Sequence, residues 1–172
     1  LSHERISEEE LDEVTARKYI GGTGLGAKYL YDEVPAGVEW SDEANRLIIA
    51  SGPLGGSAVG CSCTFSGVTK GALSNGAVAS QSNGFFGAFL RFAGYDAIII
   101  QGKASRWVYL CLDKGKAELR DAAHLVGKDT WETSDLIKSQ CEQTERGMSV
   151  VSIGPAGENL VRFASIFADK GH

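Results

Sequence analysis

Residues 79–103, ASQSNGFFGAFLRFAGYDAIIIQGK, change their structural preference twice within a short stretch of chain. Four small or polar residues, Gln81–Gly84, precede a short amphipathic stretch that is broken at Gly94, and a run of β-branched residues follows. This order predicts a loop, a short helix with glycine at its C-terminal end, and then a strand. The chain therefore mixes short helices with short strands in this region.

The same mixture extends over the rest of the chain. A capping box at Ser7 and Glu10 predicts the start of a first helix that ends near Gly21, and Pro35 closes a second helix. A further helix, DTWETSDLIKSQCE, is predicted to be capped by Asp129 and Glu132. The predicted strands are RLIIASGP, CTFSGVTKG and GAVASQSN, a meander of DAIIIQGK, WVYLCLDKGK and AELRDA, and the closing segments SVVSIGPAGEN and LVRFASIFA. Because hairpins are mixed with helices, an α+β fold is favoured over a doubly wound α/β sheet.

Two segments of the chain echo one another. Residues 48–56 read IIASGPLGG, residues 150–158 read VVSIGPAGE, and a strand-like segment that begins near a phenylalanine follows each. A duplicated strand–turn–strand unit would explain the likeness. Chance is the alternative, because a strand followed by Gly-Pro is a simple pattern.

Composition and charge exclude several classes of function. The chain has 172 residues, 43% of them hydrophobic, and a net charge of -5, so it can bury its own core. The acidic balance without a basic stripe argues against a nucleic-acid partner. No stretch reaches the ~18 apolar residues that span a bilayer, and the polar N-terminus is not a signal peptide. The length allows one large domain or two small ones, and we expect neither nucleic acid nor membrane as partner.

Cysteine and histidine positions predict no metal site. The C-x-C pair at Cys61 and Cys63 lacks the spacing of a zinc knuckle or an iron–sulfur motif, and Cys111 is expected to be a core thiol. The absence of a disulfide framework indicates a reducing, cytoplasmic setting. The histidines, His3, His124 and His172, also lack metal-ligand spacing.

Three glycine-rich or polar segments are candidate binding loops. GGTGLG, Gly21–Gly26, follows a predicted helix rather than a strand, so a tight helix–helix joint is favoured over a dinucleotide site. GPLGGSAVGCSC is either a flexible loop or a backbone cradle for a large ligand. Gln81–Gly84 combines amide side chains with helix-start N–H groups, which suits a phosphate-bearing ligand. The alternative for that loop is a β-to-α connection whose N–H groups are bonded internally.

Four segments together resemble the N-terminal domain of the aldehyde:ferredoxin oxidoreductase family: LIIASGPLGG, FFGAFLRFAGYDAIIIQGKA, ELRDAAHLVGKDTWET and SIGPAGENLVRFASI. The resemblance runs collinearly from about Tyr19 to His172. It implies an α+β domain of two intertwined β-rich repeats with a few helices. In the family this domain is the base on which a tungsten (or molybdenum) bis-pyranopterin cofactor lies.

The resemblance also implies an activity and partners. The family oxidises aldehydes to carboxylic acids and passes electrons to ferredoxin, and one branch reduces an aromatic ring in a coenzyme A thioester. Later domains of the same chain hold one [4Fe-4S] cluster and the acid/base residues, and the family often forms homodimers. We therefore expect a fragment of a longer enzyme, inactive alone and without catalytic residues of its own. The alternatives are a non-catalytic binding module that retains the fold and the aromatic-ring-reducing branch of the same family.

Five cofactor-binding residues follow from the resemblance. Thr64 falls where the family has an arginine that contacts pterin. Gln81-Ser82-Asn83-Gly84 falls on an Asn-Ser-Gly-Gly loop, in which a backbone carbonyl, here that of Gln81, binds a Mg²⁺ that bridges the pterin phosphates. Backbone contacts survive a change of side chain. Asparagine in place of glycine at position 83 restricts the backbone and adds bulk.

Overall fold

An antiparallel sheet flanked by helices lies at the centre of the structure, a computed structural model that describes residues 5–171. The helices are α1 (Glu13–Tyr19), α2 (Gly22–Glu33), α3 (Phe86–Phe92), α4 (Thr130–Gln140) and α5 (Pro155–Glu158). The strands are β1 (Arg46–Ser51), β2 (Phe65–Lys70), β3 (Ala77–Ser82), β4 (Ala97–Gln101), β5 (Val108–Asp113), β6 (Lys116–Asp121), β7 (Val151–Ser152) and β8 (Phe167–Ala168). This arrangement confirms the predicted α+β class.

The central sheet has the order β3-β2-β1-β4, with all neighbours antiparallel. One face packs against α2, where Ile48, Val68 and Leu30 are buried together. Alternate residues of a strand point to opposite faces, so Ile49, next to Ile48, faces the other way. Ile49 packs with Phe65 and with residues of the β7–β8 pair. Both faces of β1 are therefore covered, which accounts for its nearly continuous apolar sequence.

Gly21–Gly26 joins α1 to α2 and brings α2 close to the sheet. A Cβ added at Gly24 would lie 2.5 Å from the carbonyl oxygen of Tyr19, the last residue of α1. A Cβ at Gly26 would lie 2.5 Å from Cγ2 of Val68. The helix–helix joint predicted for this segment is therefore confirmed, and its last glycine also sets the distance between helix and sheet.

The two echoed segments have the same local topology. β1 and β7 each precede a Gly-Pro sequence, and each pairs in antiparallel fashion with a strand that begins at a phenylalanine, Phe65 or Phe167. Ala168 of β8 is buried against Phe65, with Val151 of β7 beside it. The sequence echo therefore corresponds to two similar strand pairs in contact with each other.

The start of α1 differs from the prediction. Its N-cap is Asp12, whose carboxylate accepts a hydrogen bond from the Thr15 N–H at 2.9 Å, whereas Ser7 and Glu10 lie in irregular chain. Aspartate is as good an N-cap as serine. The Tyr95 hydroxyl donates to the Glu8 carboxylate at 2.6 Å, so a tertiary contact holds the preceding residues outside the helix.

Two predictions about strands were wrong. β5 and β6 form a separate hairpin, while β4 pairs with β1, so the three segments are not one meander. The hairpin instead packs through Tyr109 against a buried cluster that includes Ile137 of α4. The two closing segments contain strands of only two residues each, because Pro155 begins the short helix α5 after β7.

Local turn and cap signals were placed correctly. Asp129 and Glu132 form a reciprocal capping box at the start of α4. Gly94 follows α3 with φ of 95°, and Gly115 at the tip of the β5–β6 hairpin has φ of 75°. In residues 5–171, none of the helices combines the length and apolar character needed to cross a membrane.

Candidate functional site

The five predicted cofactor-binding residues lie together at one end of the β2–β3 pair. Thr64 immediately precedes β2, Gln81 and Ser82 end β3, and Asn83 and Gly84 lead into α3. In the antiparallel register Phe65 is opposite Ser82 and Ser66 is opposite Gln81. Residues that are far apart in sequence therefore meet because the strands run in opposite directions. We call these five residues, Thr64 and Gln81–Gly84, the β3-end site.

Two members of the β3-end site bond to each other. The Thr64 hydroxyl donates a hydrogen bond to Oδ1 of Asn83 at 3.1 Å. Asn83 is exposed, and its amide NH₂ group can donate to a ligand while its oxygen is held by Thr64. The Ser82 hydroxyl donates to the Asn83 backbone carbonyl at 3.3 Å. The site therefore presents a short, uncharged network of hydroxyl and amide groups.

The position that needs glycine in this loop is Gly84. Its φ of 93° lies in the left-handed region, which a side chain disfavours. Asn83 has a negative φ, which any residue adopts. The asparagine at position 83 is therefore compatible with the backbone of this loop.

Two N–H groups at the start of α3 are bonded within the protein. The Phe85 N–H donates to the Asp169 carboxylate at 3.4 Å, and the Gly87 N–H donates to the Cys63 carbonyl at 3.1 Å. This corresponds to the internally bonded connection that the sequence left open as an alternative. A ligand at the β3-end site would therefore meet the side chains and main chain of residues 81–84 rather than these two donors.

The glycine-rich loop between β1 and β2 packs closely against α3. A Cβ added at Gly87 would lie 2.5 Å from the Cys63 carbonyl oxygen, and one added at Gly56 would lie 2.5 Å from the Phe92 ring. The Ser51 hydroxyl donates to the Gly87 carbonyl at 2.9 Å and is buried. These contacts hold the residues that lead to Thr64 in a fixed relation to the start of α3.

Asp169 is a buried charged residue near the site that the sequence analysis missed. It follows β8, and its carboxylate accepts hydrogen bonds from the Ser149 hydroxyl and from the N–H groups of Val150 and Phe85. The Lys138 ammonium lies 3.5 Å from the same carboxylate. The one sequence feature that could have indicated its role is the position of Asp169 directly after an apolar strand. The residues that Asp169 contacts are distant in sequence, so they could not be predicted.

The remaining cysteine and histidine predictions have varied outcomes. Cys111 lies in β5 and is half-buried rather than in the core, and partial burial raises the pKa of its thiol. His124 lies in a short turn and contacts the Gln140 amide at 2.8 Å. His3 and His172 lie outside the described residues. Within residues 5–171 there is no group of three or more His, Cys, Asp or Glu residues arranged to hold a metal.

A cleft of about 1180 Å³ lies apart from the β3-end site. β4, the residues before α1 and the aliphatic face of the β5–β6 hairpin line it, and none of the five predicted residues is among its lining residues. The hairpin contributes Val108, Leu110, Leu112, Ala117 and Leu119. The predicted cofactor contacts therefore lie outside this cleft.

Comparison with known proteins relates the whole chain to one family. The family model described as the aldehyde ferredoxin oxidoreductase N-terminal domain matches residues 1–172. The tungsten-containing aldehyde ferredoxin oxidoreductase of Pyrococcus furiosus is 42% identical over 172 residues, which is 100% of this chain and 28% of that protein. The aliphatic sulfonate oxidoreductase WOR-like subunit of the same organism is 35% identical over 187 residues, 100% of this chain and 29% of the subunit.

A solved structure has the same fold. The active site complex BamBC of benzoyl coenzyme A reductase in complex with 1,5-dienoyl-CoA superimposes with a TM-score of 0.86 at 37% identity. The match covers 94% of this chain and 27% of that chain. The chain thus spans somewhat more than a quarter of the length of the relatives that it matches.

Proposed function

Because this chain belongs to the aldehyde ferredoxin oxidoreductase N-terminal domain family, we propose that it is the cofactor-base domain of a tungsten-pterin oxidoreductase that oxidises aldehydes to carboxylic acids. Residues 1–172 would form this domain within a longer chain. The match over the full 172 residues to tungsten-containing relatives at 42% identity supports the proposal. The observation that carries it is the assembly of Thr64 with Gln81–Gly84 at the exposed end of β3.

The chemical groups of the β3-end site fit a phosphate-bearing pterin and its cation. Mg²⁺ prefers oxygen ligands, and the loop offers carbonyl and hydroxyl oxygens, among them the Gln81 carbonyl that we propose as its ligand. Exposed amide groups of Gln81 and Asn83 provide donors and acceptors for a polar heterocycle. Gly84 allows the backbone to approach a ligand without a Cβ. The tungsten would be held by the dithiolene sulfurs of the cofactor, so no cysteine or histidine ligand is needed here.

The proposed work of this domain is to bind and orient the cofactor. When bound, the cofactor supplies the redox chemistry of aldehyde oxidation. Thr64 fixes the Asn83 amide through its hydroxyl, so that the amide NH₂ group can donate to the pterin in a set direction. The contacts between Gly87 and Cys63 hold the two segments of the site together. None of the five residues is assigned a proton-transfer step.

The remaining functions are assigned to other parts of the protein. We propose that later domains hold one [4Fe-4S] cluster and the acid/base residues, that ferredoxin accepts the electrons, and that the enzyme forms a homodimer. The proposed location is the cytoplasm, which suits the free thiols of Cys61, Cys63, Cys111 and Cys141.

A second candidate activity is ring reduction of an aromatic coenzyme A thioester. The benzoyl coenzyme A reductase complex has the same fold over 94% of this chain at 37% identity. The base domain would serve both activities in the same way, because binding a pterin does not select the substrate. The domains that shape the substrate pocket would decide between them.

Metal and pterin content of the full-length protein tests the proposal. Protein from cells grown with tungstate is expected to contain tungsten, pterin and about four irons per chain. Protein without either metal would contradict the enzyme assignment and favour the non-catalytic binding module. If metals are present, ferredoxin or dye reduction by aldehydes, compared with reduction of an aromatic coenzyme A thioester, distinguishes the two activities.

A further inference from the structure

The Asp169 carboxylate joins the second strand pair to the loop of the β3-end site. Asp169 is only 5% exposed. Its Oδ1 accepts from the Val150 N–H at 3.0 Å, and its Oδ2 accepts from the Ser149 hydroxyl and from the Phe85 N–H, the latter at 3.4 Å. Phe85 directly follows Gly84. One side chain therefore connects the segment before β7 with the residue at which the site loop enters α3.

The charge of Asp169 is balanced by a buried lysine. Lys138 of α4 is 3% exposed, and its ammonium lies 3.5 Å from Oδ1 of Asp169. The same ammonium lies 2.7 Å from the more exposed Glu145 carboxylate. A buried carboxylate needs such partners, because desolvation otherwise raises the free energy of its charged form. With three hydrogen-bond donors and one ammonium group around its two oxygens, the Asp169 carboxylate is held in one orientation.

Apolar packing holds Phe86 but not Phe85, the residue that joins the site loop to α3. The preceding residue, Ala168, is buried in the cluster that includes Phe65 and Phe86, whose rings meet edge to face at 5.1 Å. Phe85 is exposed, and its own side chain makes no capping hydrogen bond at the start of α3. The apolar contacts thus fix Phe86, while the bond to Asp169 fixes the Phe85 N–H. The orientation of the peptide between Gly84 and Phe85 follows from that bond.

We propose that Asp169 is a positioning residue that sets the conformation of the Gln81–Gly84 loop by accepting the Phe85 N–H, and thereby prepares the loop for the cofactor. This inference rests on the proposed cofactor-base function. An uncharged amide at position 169 would replace one of the two accepting oxygens with an NH₂ group. That group is itself a donor and cannot accept a hydrogen bond from the N–H and hydroxyl donors around it. Asparagine has nearly the same shape as aspartate, so it tests the charge and the acceptor pattern rather than the volume.

The experiment compares D169N with wild type and E145Q in the full-length protein. Glu145 also pairs with Lys138 but does not contact Phe85, so E145Q is a matched control for loss of a carboxylate in this charge cluster. Amide hydrogen exchange of the 83–87 segment reports the loop directly. Pterin content per chain reports cofactor binding, without reference to enzyme activity.

The expected result is selective loosening of the loop. In D169N one amide oxygen replaces two carboxylate oxygens that both face donors, which weakens acceptance of the Phe85 N–H, so exchange of the 83–87 segment should rise about tenfold. Exchange of β1, residues 46–51, should remain as in wild type, and pterin content should fall. E145Q should retain both the slow exchange of the loop and the pterin.

Three outcomes would overturn the inference. Unchanged exchange in D169N means that Asp169 does not fix the loop. Increased exchange with pterin content equal to that of E145Q means that the loop conformation does not govern cofactor binding. Wild-type protein without pterin overturns the proposed function, and the role of Asp169 with it. This outcome differs from the first two because pterin is then missing whichever residue is at position 169. If D169N fails to fold, the double variant D169N/K138M removes both buried charges together and is measured instead.

Discussion

The Thr64 hydroxyl donates a hydrogen bond to the Asn83 side-chain oxygen at 3.1 Å, and so joins the start of β2 to the loop after β3. The family resemblance implies an arginine and a glycine at these two positions. Two of the three residues in which this chain departs from that pattern are therefore in contact, and the third is Gln81. A polar pair of this kind can fix the loop without adding charge.

The Thr64–Asn83 pair should be energetically coupled. T64V removes the hydroxyl at nearly constant shape, and N83A removes its acceptor. Because the bond is exposed, each single change should lower the free energy of unfolding by about 0.5–1 kcal/mol, and the double variant by less than the sum. Urea denaturation of the four forms of chain 1–172 measures the coupling. Strict additivity would show that the bond does not contribute to stability in solution.

Gly84→Ala should destabilise the loop more than a change at its neighbour. Alanine at φ of 93° is strained by about 1–2 kcal/mol. N83A is the matched control, because position 83 has an ordinary negative φ. Chemical denaturation should place G84A below N83A in stability, since N83A loses only its exposed bond to Thr64, and full-length G84A should contain less pterin. Equal stability of the two variants would contradict the assigned backbone conformation.

Gly26→Ala should disturb the contact between α2 and the sheet. Its Cβ would lie 2.5 Å from Cγ2 of Val68, a buried side chain that has little room to move. Overpacking of this kind costs about 1–3 kcal/mol. Gly67→Ala is the control, because a Cβ there meets no atom within 4 Å. Thermal unfolding should show a lower Tm for G26A only. Comparable losses in both variants would indicate a general effect of replacing glycine.

Glu145 should stabilise the fold at neutral pH and lose this effect in acid. Hydrogen bonds from Lys138 and then Lys170 lower the pKa of Glu145 to about 2, from an ordinary value of 4.5. As the pH falls from above 4.5, the carboxylate in the unfolded chain takes up a proton before the folded one does. Its stabilising contribution is therefore complete above 4.5 and disappears as the pH falls through about 2.

The measurement is the urea midpoint of wild type and E145Q at several pH values. Wild type should be the more stable at about pH 6, and the difference should vanish by about pH 2. Solvent screens this half-exposed carboxylate, so the difference should be small and should shrink in high salt. A difference that persists unchanged at about pH 2 would exclude the two lysine contacts as its cause.

Local sequence signals predicted elements whose stabilising contacts are close in the chain. The capping box of α4 is correct because Asp129 and Glu132 satisfy each other's backbone N–H groups three residues apart. Gly94 was placed correctly for the same reason, since it follows α3 and adopts a conformation that glycine favours. The capping box at Ser7 failed because Glu8 bonds to the distant Tyr95. Local spacing contains no information about such a partner.

The sequence by itself determined the α+β class and the short strands and helices, because apolar period and glycine position are local features of the chain. The family resemblance predicted the five residues of the β3-end site. Only the tertiary structure decided that β4 pairs with β1 rather than with β5, since strand partners are chosen by burial of both faces. It also brought Asp169 to the Phe85 N–H, across 84 positions of sequence. A buried carboxylate is stable only where the fold collects enough donors around it, and that collection depends on how the two strand pairs pack.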